Sequence, residues 1–172
     1  MNMKNKCYIF LMLFVFYGCT YATKESNVSF KTIDISVFNG WTFTCSYKVF
    51  DNGQIHIEVE EHRRPNIYYN LLLPAEELDS ISRIVDKIIS LPMDTVYYGN
   101  CVDCGHYNLI IKTEDAVFRS FVEGIHNKDA EAMHELVDFL YGLIDDYESN
   151  HNYSIYEKFQ FESKNEIFPI EY

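Results

Sequence analysis

Between residues 30 and 60 apolar and polar side chains alternate almost without a break. Ile33, Ile35 and Val37 fall on one face of an extended segment, with Thr32, Asp34 and Ser36 on the other. Trp41, Phe43, Cys45, Tyr47 and Val49 alternate with Thr42, Thr44, Ser46 and Lys48, and Ile55, Ile57 and Val59 with Gln54, His56, Glu58 and Glu60. A period of two predicts half-buried strands. A slip of one residue would turn the apolar set to water, so each hairpin must set apolar against apolar. Phe38-Asn39-Gly40, read as a three-residue loop with Gly40 left-handed, sets Val37 against Trp41, Ile35 against Phe43 and Ile33 against Cys45. Asp51-Asn52-Gly53 repeats the logic and sets Val49 against Ile55, Tyr47 against Ile57 and Cys45 against Val59. The result is a three-stranded meander with one apolar face, Cys45 on that side, and an outward polar face.

The period then changes. Residues 61–70 (EHRRPNIYYN) read as a loop or irregular edge strand broken by Pro65. Pro74, followed by Glu76, Glu77 and Asp79, opens a helix whose apolar stripe is Leu78, Ile81, Ile84, Val85 and Ile88. Leu91-Pro92 ends it. A Cys-bearing turn leads into a strand at 107–111. Residues 116–122 return as its hairpin partner across Thr113-Glu114-Asp115, in a register the pattern leaves open. Asn127 or Asp129 caps a second helix running to about residue 147, with Met133, Leu136, Val137, Leu140, Leu143, Ile144 and Tyr147 as its stripe. The βββ-α-ββ-α order predicts an α+β fold: a mostly antiparallel sheet of about five strands with two helices packed on one face. The segment 148–172 is polar but studded with aromatics, and reads equally as an edge strand or as a wrap around the domain.

The first residues read as an address and not as part of the fold. Lys4 and Lys6 precede the apolar run 8–17 (YIFLMLFVFY), which is too short to span a bilayer. Gly18-Cys19 directly after it resembles the signal of bacterial lipoproteins, in which the Cys receives the lipid; Phe16 and Tyr17 depart from that motif. The resemblance implies a signal peptide over 1–18, a lipidated Cys19 with a tether over 19–28, a single α+β domain over 29–147, and the tail. It implies a membrane anchor through Cys19 in the cell envelope or periplasm. Cleavage after the small-x-small site Thr20-Tyr21-Ala22 gives a freely secreted chain instead; either way the protein is exported.

Charge narrows the partners. The chain carries 14 Lys and Arg against 26 Asp and Glu, a net −12. Removing residues 1–18 takes away two lysines and leaves −14. Such a balance argues against nucleic acid and against docking on anionic lipid by charge, and suits a soluble head or one that attracts a basic protein.

Candidate chemistry gathers at Cys101-Val102-Asp103-Cys104-Gly105-His106. An exported chain favours a structural disulfide, drawn from Cys45, Cys101 and Cys104. A zinc site would use Cys45, Cys101, Cys104 and His106. Thiol redox work is disfavoured, because a strand and not a helix follows, and Asp103 would raise a thiol's pKa. His134, Glu135 and Asp138 approach a zinc-protease spacing but share the helix's polar arc, with no third ligand. Tyr68-Tyr69 and Tyr97-Tyr98 flank the first helix as candidate glycan or protein contacts, with half of each pair expected in the core. No cofactor fingerprint, phosphate loop or nucleophile elbow occurs. Cys101, Asp103, Cys104, Tyr107, Leu109 and Ile111, in a Cys-and-Asp turn before a Tyr-x-Leu-x-Ile strand, resemble small exported α+β lipoproteins, a family that implies no activity. The expectation is a non-enzymatic protein-binding module of the envelope, of inhibitor or immunity type against a basic hydrolase or toxin. The rivals are a metal or thiol-redox protein at the Cys101/Cys104 turn and a glycan binder through the tyrosines.

Overall fold

The structure is a computed structural model that describes residues 28–39, 43–61, 65–91, 95–99, 105–124, 127–150 and 158–165. Four strands come first: β1 (Thr32–Asn39), β2 (Phe43–Phe50), β3 (Gln54–Glu61) and β4 (Ile67–Leu72). Helix α1 (Ala75–Ile89) follows, then β5 (Thr95–Tyr97), β6 (His106–Lys112), β7 (Val117–Glu123), a 3₁₀ turn (Lys128–Ala130) and α2 (Glu131–Asn150). The strands form one seven-stranded sheet in the order β4-β3-β2-β1-β6-β7-β5. Every neighbouring pair is antiparallel except β5 with β7.

The α+β class and the mostly antiparallel sheet hold, while the strand number is seven rather than about five. Two short edge strands make the difference. β4 forms just past Pro65, where the missing N–H no longer interrupts a ladder. β5 is three residues long and lies beside β7 in parallel, too short to show a period. The β2–β3 register is as expected, with Val49 opposite Ile55, Tyr47 opposite Ile57 and Cys45 opposite Val59. Gly53 takes φ +84° in that turn, and a Cβ there would stand 3.3 Å from the Leu73 carbonyl oxygen.

The β1–β2 register differs from expectation. Val37 lies opposite Cys45, Ile35 opposite Tyr47 and Ile33 opposite Val49. The expected Val37–Trp41, Ile35–Phe43 and Ile33–Cys45 pairs are displaced by four positions. An even slip keeps every side chain on its face, so burial cannot oppose it. The ladder closes at Asn39–Phe43, beyond a tight two- or three-residue turn after Val37.

Both helices lie on the inner face. The α1 stripe (Leu78, Ile81, Ile84, Val85 and Ile88) and Met133, Leu136, Val137, Leu140 and Leu143 of α2 join Ile33, Ile35, Tyr47, Val49, Ile55, Ile57, Leu109 and Ile111 in one core. Pro74 precedes α1, and Asn127 caps the 3₁₀ turn by accepting the Asp129 N–H at 3.0 Å. No helix among the described residues is long and apolar enough to cross a membrane.

Candidate functional site

The outer face of the sheet is where the alternation leads to something unexpected. Its polar residues line up in two rows that the registers define. One row runs Asn108, Ser36, Ser46, Glu58, Tyr68 across β6, β1, β2, β3 and β4; the next runs Ile110, Asp34, Lys48, His56, Asn70. Period two alone places these side chains in water. Instead Asp34, Ser36, Ser46, Glu58 and Asn108 are at most 5% exposed.

The cover is the chain's own segment 158–165 (KFQFESKN). Phe161 and Ser163 in it are buried, Phe159 is half-buried, Lys158, Gln160 and Glu162 point outward, and the chain turns over residues 162–165. Its path can be followed by its partners. Phe159 stacks on His56 at 3.8 Å between ring centroids and meets the Tyr68 ring edge-on at 6.0 Å. Lys48 donates to the Gln160 carbonyl at 3.4 Å. The chain then crosses to β1 and β6. The Glu162 N–H donates to Asp34 Oδ2 at 2.9 Å, the Ser163 N–H to Asp34 Oδ1 at 3.4 Å, and Asn108 Nδ2 to the Ser163 carbonyl at 2.9 Å. A turn, closed by the Asn165 N–H on the Glu162 carbonyl, brings Lys164 back to β3. There its ammonium pairs with Glu58 at 3.0 Å and with Glu60.

Proton counting orients the centre of this network. Ser163 Oγ lies 2.5 Å from Asp34 Oδ1, and an ionised carboxylate only accepts, so Ser163 donates its single proton there. Ser36, 2.7 Å from Ser163, must then donate to it, and Ser46, 2.8 Å from Ser36, must donate in turn. Three buried hydroxyls therefore point head to tail at one carboxylate, an arrangement in which each bond polarises the next. Lys48 lies 3.3 Å from the same carboxylate and completes it. The segment joins no strand as a ladder partner among the described residues. It is held by side chains of the sheet that reach its backbone N–H and C=O groups.

The charged groups respond to this packing. Burial pushes the Glu58 carboxyl up, but hydrogen bonds from Lys164, Asn66 and Tyr68 outweigh it and hold it below the ordinary glutamate value. Burial opposes the Lys164 charge, yet bonds to Glu60 and Glu58 raise its pKa. Lys112, bonded to Glu162 at 2.6 Å, lowers that carboxyl in turn.

The residues singled out from sequence are placed elsewhere. Cys19, Cys101 and Cys104 lie outside the described residues. Cys45 is a free thiol on the inner face, fully buried. Burial pushes its thiol up to about 12. His106 stands on the outer face, stacked on Phe38 at 4.8 Å and tilted against Phe121 at 5.2 Å. The sheet itself separates Cys45 from His106, so these two cannot hold one metal ion. No cluster of metal-ligating side chains forms among the described residues.

His134 belongs to the inner side, with Nδ1 3.0 Å from the Tyr107 hydroxyl, and not to a wholly solvated arc. Glu135 bridges to Lys87 of α1 at 2.8 Å. The tyrosine pairs divide as their alternation requires. Tyr69 is in the core, and Tyr68 is on the outer face donating to Glu58 at 3.0 Å. Tyr97 packs against the core, and Tyr98 is half exposed. The two pairs sit on opposite edge strands, about 29 Å apart at the usual strand spacing, too far to form one stacking platform.

What sequence reasoning missed is the set Asp34, Ser36, Ser46, Glu58, Asn108, Ser163 and Lys164. The available signal was small: three short side chains (Ser36, Ser46 and Asn108) midway along strands whose exposed face would suit longer ones, and a tail alternating as Phe159, Phe161, Ser163. No family model matches the chain, and a search of the curated proteins returns no match.

Proposed function

We propose that this is an exported envelope protein, anchored through a lipid on Cys19, that works by binding another protein and not by catalysis. One observation carries the reading: the outer face of the sheet holds a polypeptide segment through its main chain as well as its side chains. Asp34 accepts two successive backbone N–H groups and Asn108 donates to the carbonyl of the second residue. Contacts of this kind read main chain in any sequence, while the aromatic, hydroxyl and ammonium subsites along the same path read side chains. The excess of acid, −12 over the whole chain and −14 once residues 1–18 are removed, gives the protein a field that draws basic partners and speeds their encounter. An inhibitor or immunity-type role against a basic envelope enzyme or toxin is the concrete form of this proposal.

The test is photo-crosslinking in the exporting cell. A photoreactive residue replaces either Asn70, exposed on the outer face, or Arg83, exposed on α1. The proposal expects a discrete protein adduct from position 70 and none from position 83. Equal adducts from both, or none from either, would overturn it. Intact mass of the purified protein checks the anchor separately, since a diacyl or triacyl increment on a chain beginning at Cys19 is expected.

A further inference from the structure

The groups that hold residues 158–165 are not those of a permanent core. A buried ion pair is replaced by well-packed apolar residues at little cost or with a gain in stability. This face nevertheless keeps Asp34 with Lys48, Glu58 with Lys164, and three hydroxyls in file. Each of these tolerates water, whereas the inner face, walled by both helices, is apolar throughout its centre. The covering segment is a ladder partner of no strand among the described residues, so its departure breaks no strand pairing there. A surface that is polar beneath its cover, and a cover held by side chains alone, are what a site needs if it is to be occupied in exchange.

Resting on the binding role proposed above, we infer that the outer face is a peptide site closed in cis by residues 158–165, and that its partner in trans is a basic protein presenting a segment of the same pattern. That pattern is aromatic-x-aromatic-x-Ser-Lys. The first aromatic ring takes the place of Phe159 against His56. The serine hydroxyl and its N–H meet Asp34. The lysine enters between Glu58 and Glu60, the subsite that most favours a basic partner, because two carboxylates converge on one ammonium. The chain's own tail acts as a competitor that must be displaced, so apparent affinity falls by the fraction of molecules that are closed.

Fluorescence anisotropy with the labelled peptide EKFQFESKNE, the sequence of residues 157–166, tests this on the full-length chain. The variant F159A/S163A/K164Q weakens the cover while leaving the sheet intact. It should bind the peptide about ten-fold more tightly than the unaltered protein. A peptide with the lysine of its Ser-Lys pair changed to glutamate should lose about ten-fold on the same variant, and so should the unaltered peptide when Glu58→Gln and Glu60→Gln are added. Circular dichroism and a cooperative melt establish that the variants are folded. If the triple variant is not, Lys164→Gln alone serves, since that side chain is partly solvent-exposed, and the same direction of change is required. Affinity equal to that of the unaltered protein, or indifference to the lysine, overturns the inference. Strap-dependent peptide binding with no crosslinked partner in the cell would remove the envelope role and leave the site. A crosslinked partner with no dependence on the strap would do the reverse.

Discussion

At the scale of single residues, Asp34 distinguishes a working centre from a decorated surface. Its carboxylate, 2% exposed, accepts from Lys48, from the Ser163 hydroxyl and from two backbone N–H groups. Asp34→Ala leaves those donors, and the Lys48 ammonium, without their acceptor. The expected loss is about 3 kcal/mol in urea unfolding. Glu162→Gln, in contrast, removes a half-exposed partner of Lys112 and should cost less than about 1 kcal/mol. Comparable effects from the two would refute the assignment. Cys45 makes the opposite case, a residue with reactive chemistry and no access. With its thiol pushed up to about 12 inside the core, it should resist alkylation at pH 8 in the folded protein and react once the chain is unfolded in urea. The sequence made Cys45 conspicuous and Asp34 ordinary. Residue type announces chemical potential, but burial and partners decide whether it is used.

At the scale of elements, the inner face was legible and the outer face was not. Alternation placed Ile33, Tyr47, Val49 and Ile57 correctly because a one-residue slip is penalised by every side chain on the strand. It could not fix the β1–β2 offset, since a four-residue slip leaves the same residues inside. It also read Ser36, Ser46 and Glu58 as solvated, because nothing in a strand's own period reports a segment arriving from more than fifty positions away. The strap's charged contacts give it a pH signature. Glu58 and Glu162 have lowered pKa values, so their stabilisation is complete above the ordinary glutamate value of 4.5 and is lost as pH falls through the lowered values. His106 is also lowered, by burial against the opposing pull of Glu123; it favours the folded state above 6.5 and begins to weaken it below. The Lys164 value is raised, so its contribution persists below 10.5 and is lost above. Unfolding free energy measured in urea should therefore stay level from pH 7 to about 8, before the raised Cys45 thiol begins to oppose folding, and should decline shallowly from pH 6.5 and more steeply below 4.5. A maximum near pH 4 would contradict the assigned signs.

At the scale of the whole molecule, the two sides of one sheet do different work. Helices α1 and α2 seal the inner face with apolar side chains and give the domain its stability. Residues 158–165 cover the outer face through ion pairs, hydroxyls and main-chain contacts, and that face is the one proposed for recognition. The excess of acid over base fits this division, because the subsite for Lys164 is an acidic pair within an acidic protein. The central claim is that the cover opens while the sheet stays folded. Native-state hydrogen exchange reads that directly at the amides of Glu162 and Ser163, compared with those of Ile35 and Tyr47 in the central strands. The account predicts that the two strap amides exchange about ten-fold or more faster than the strand amides, through a local opening insensitive to low concentrations of urea. Exchange of all four at one rate, with the full urea dependence of global unfolding, would show the strap to be an inseparable part of the core and would contradict the account.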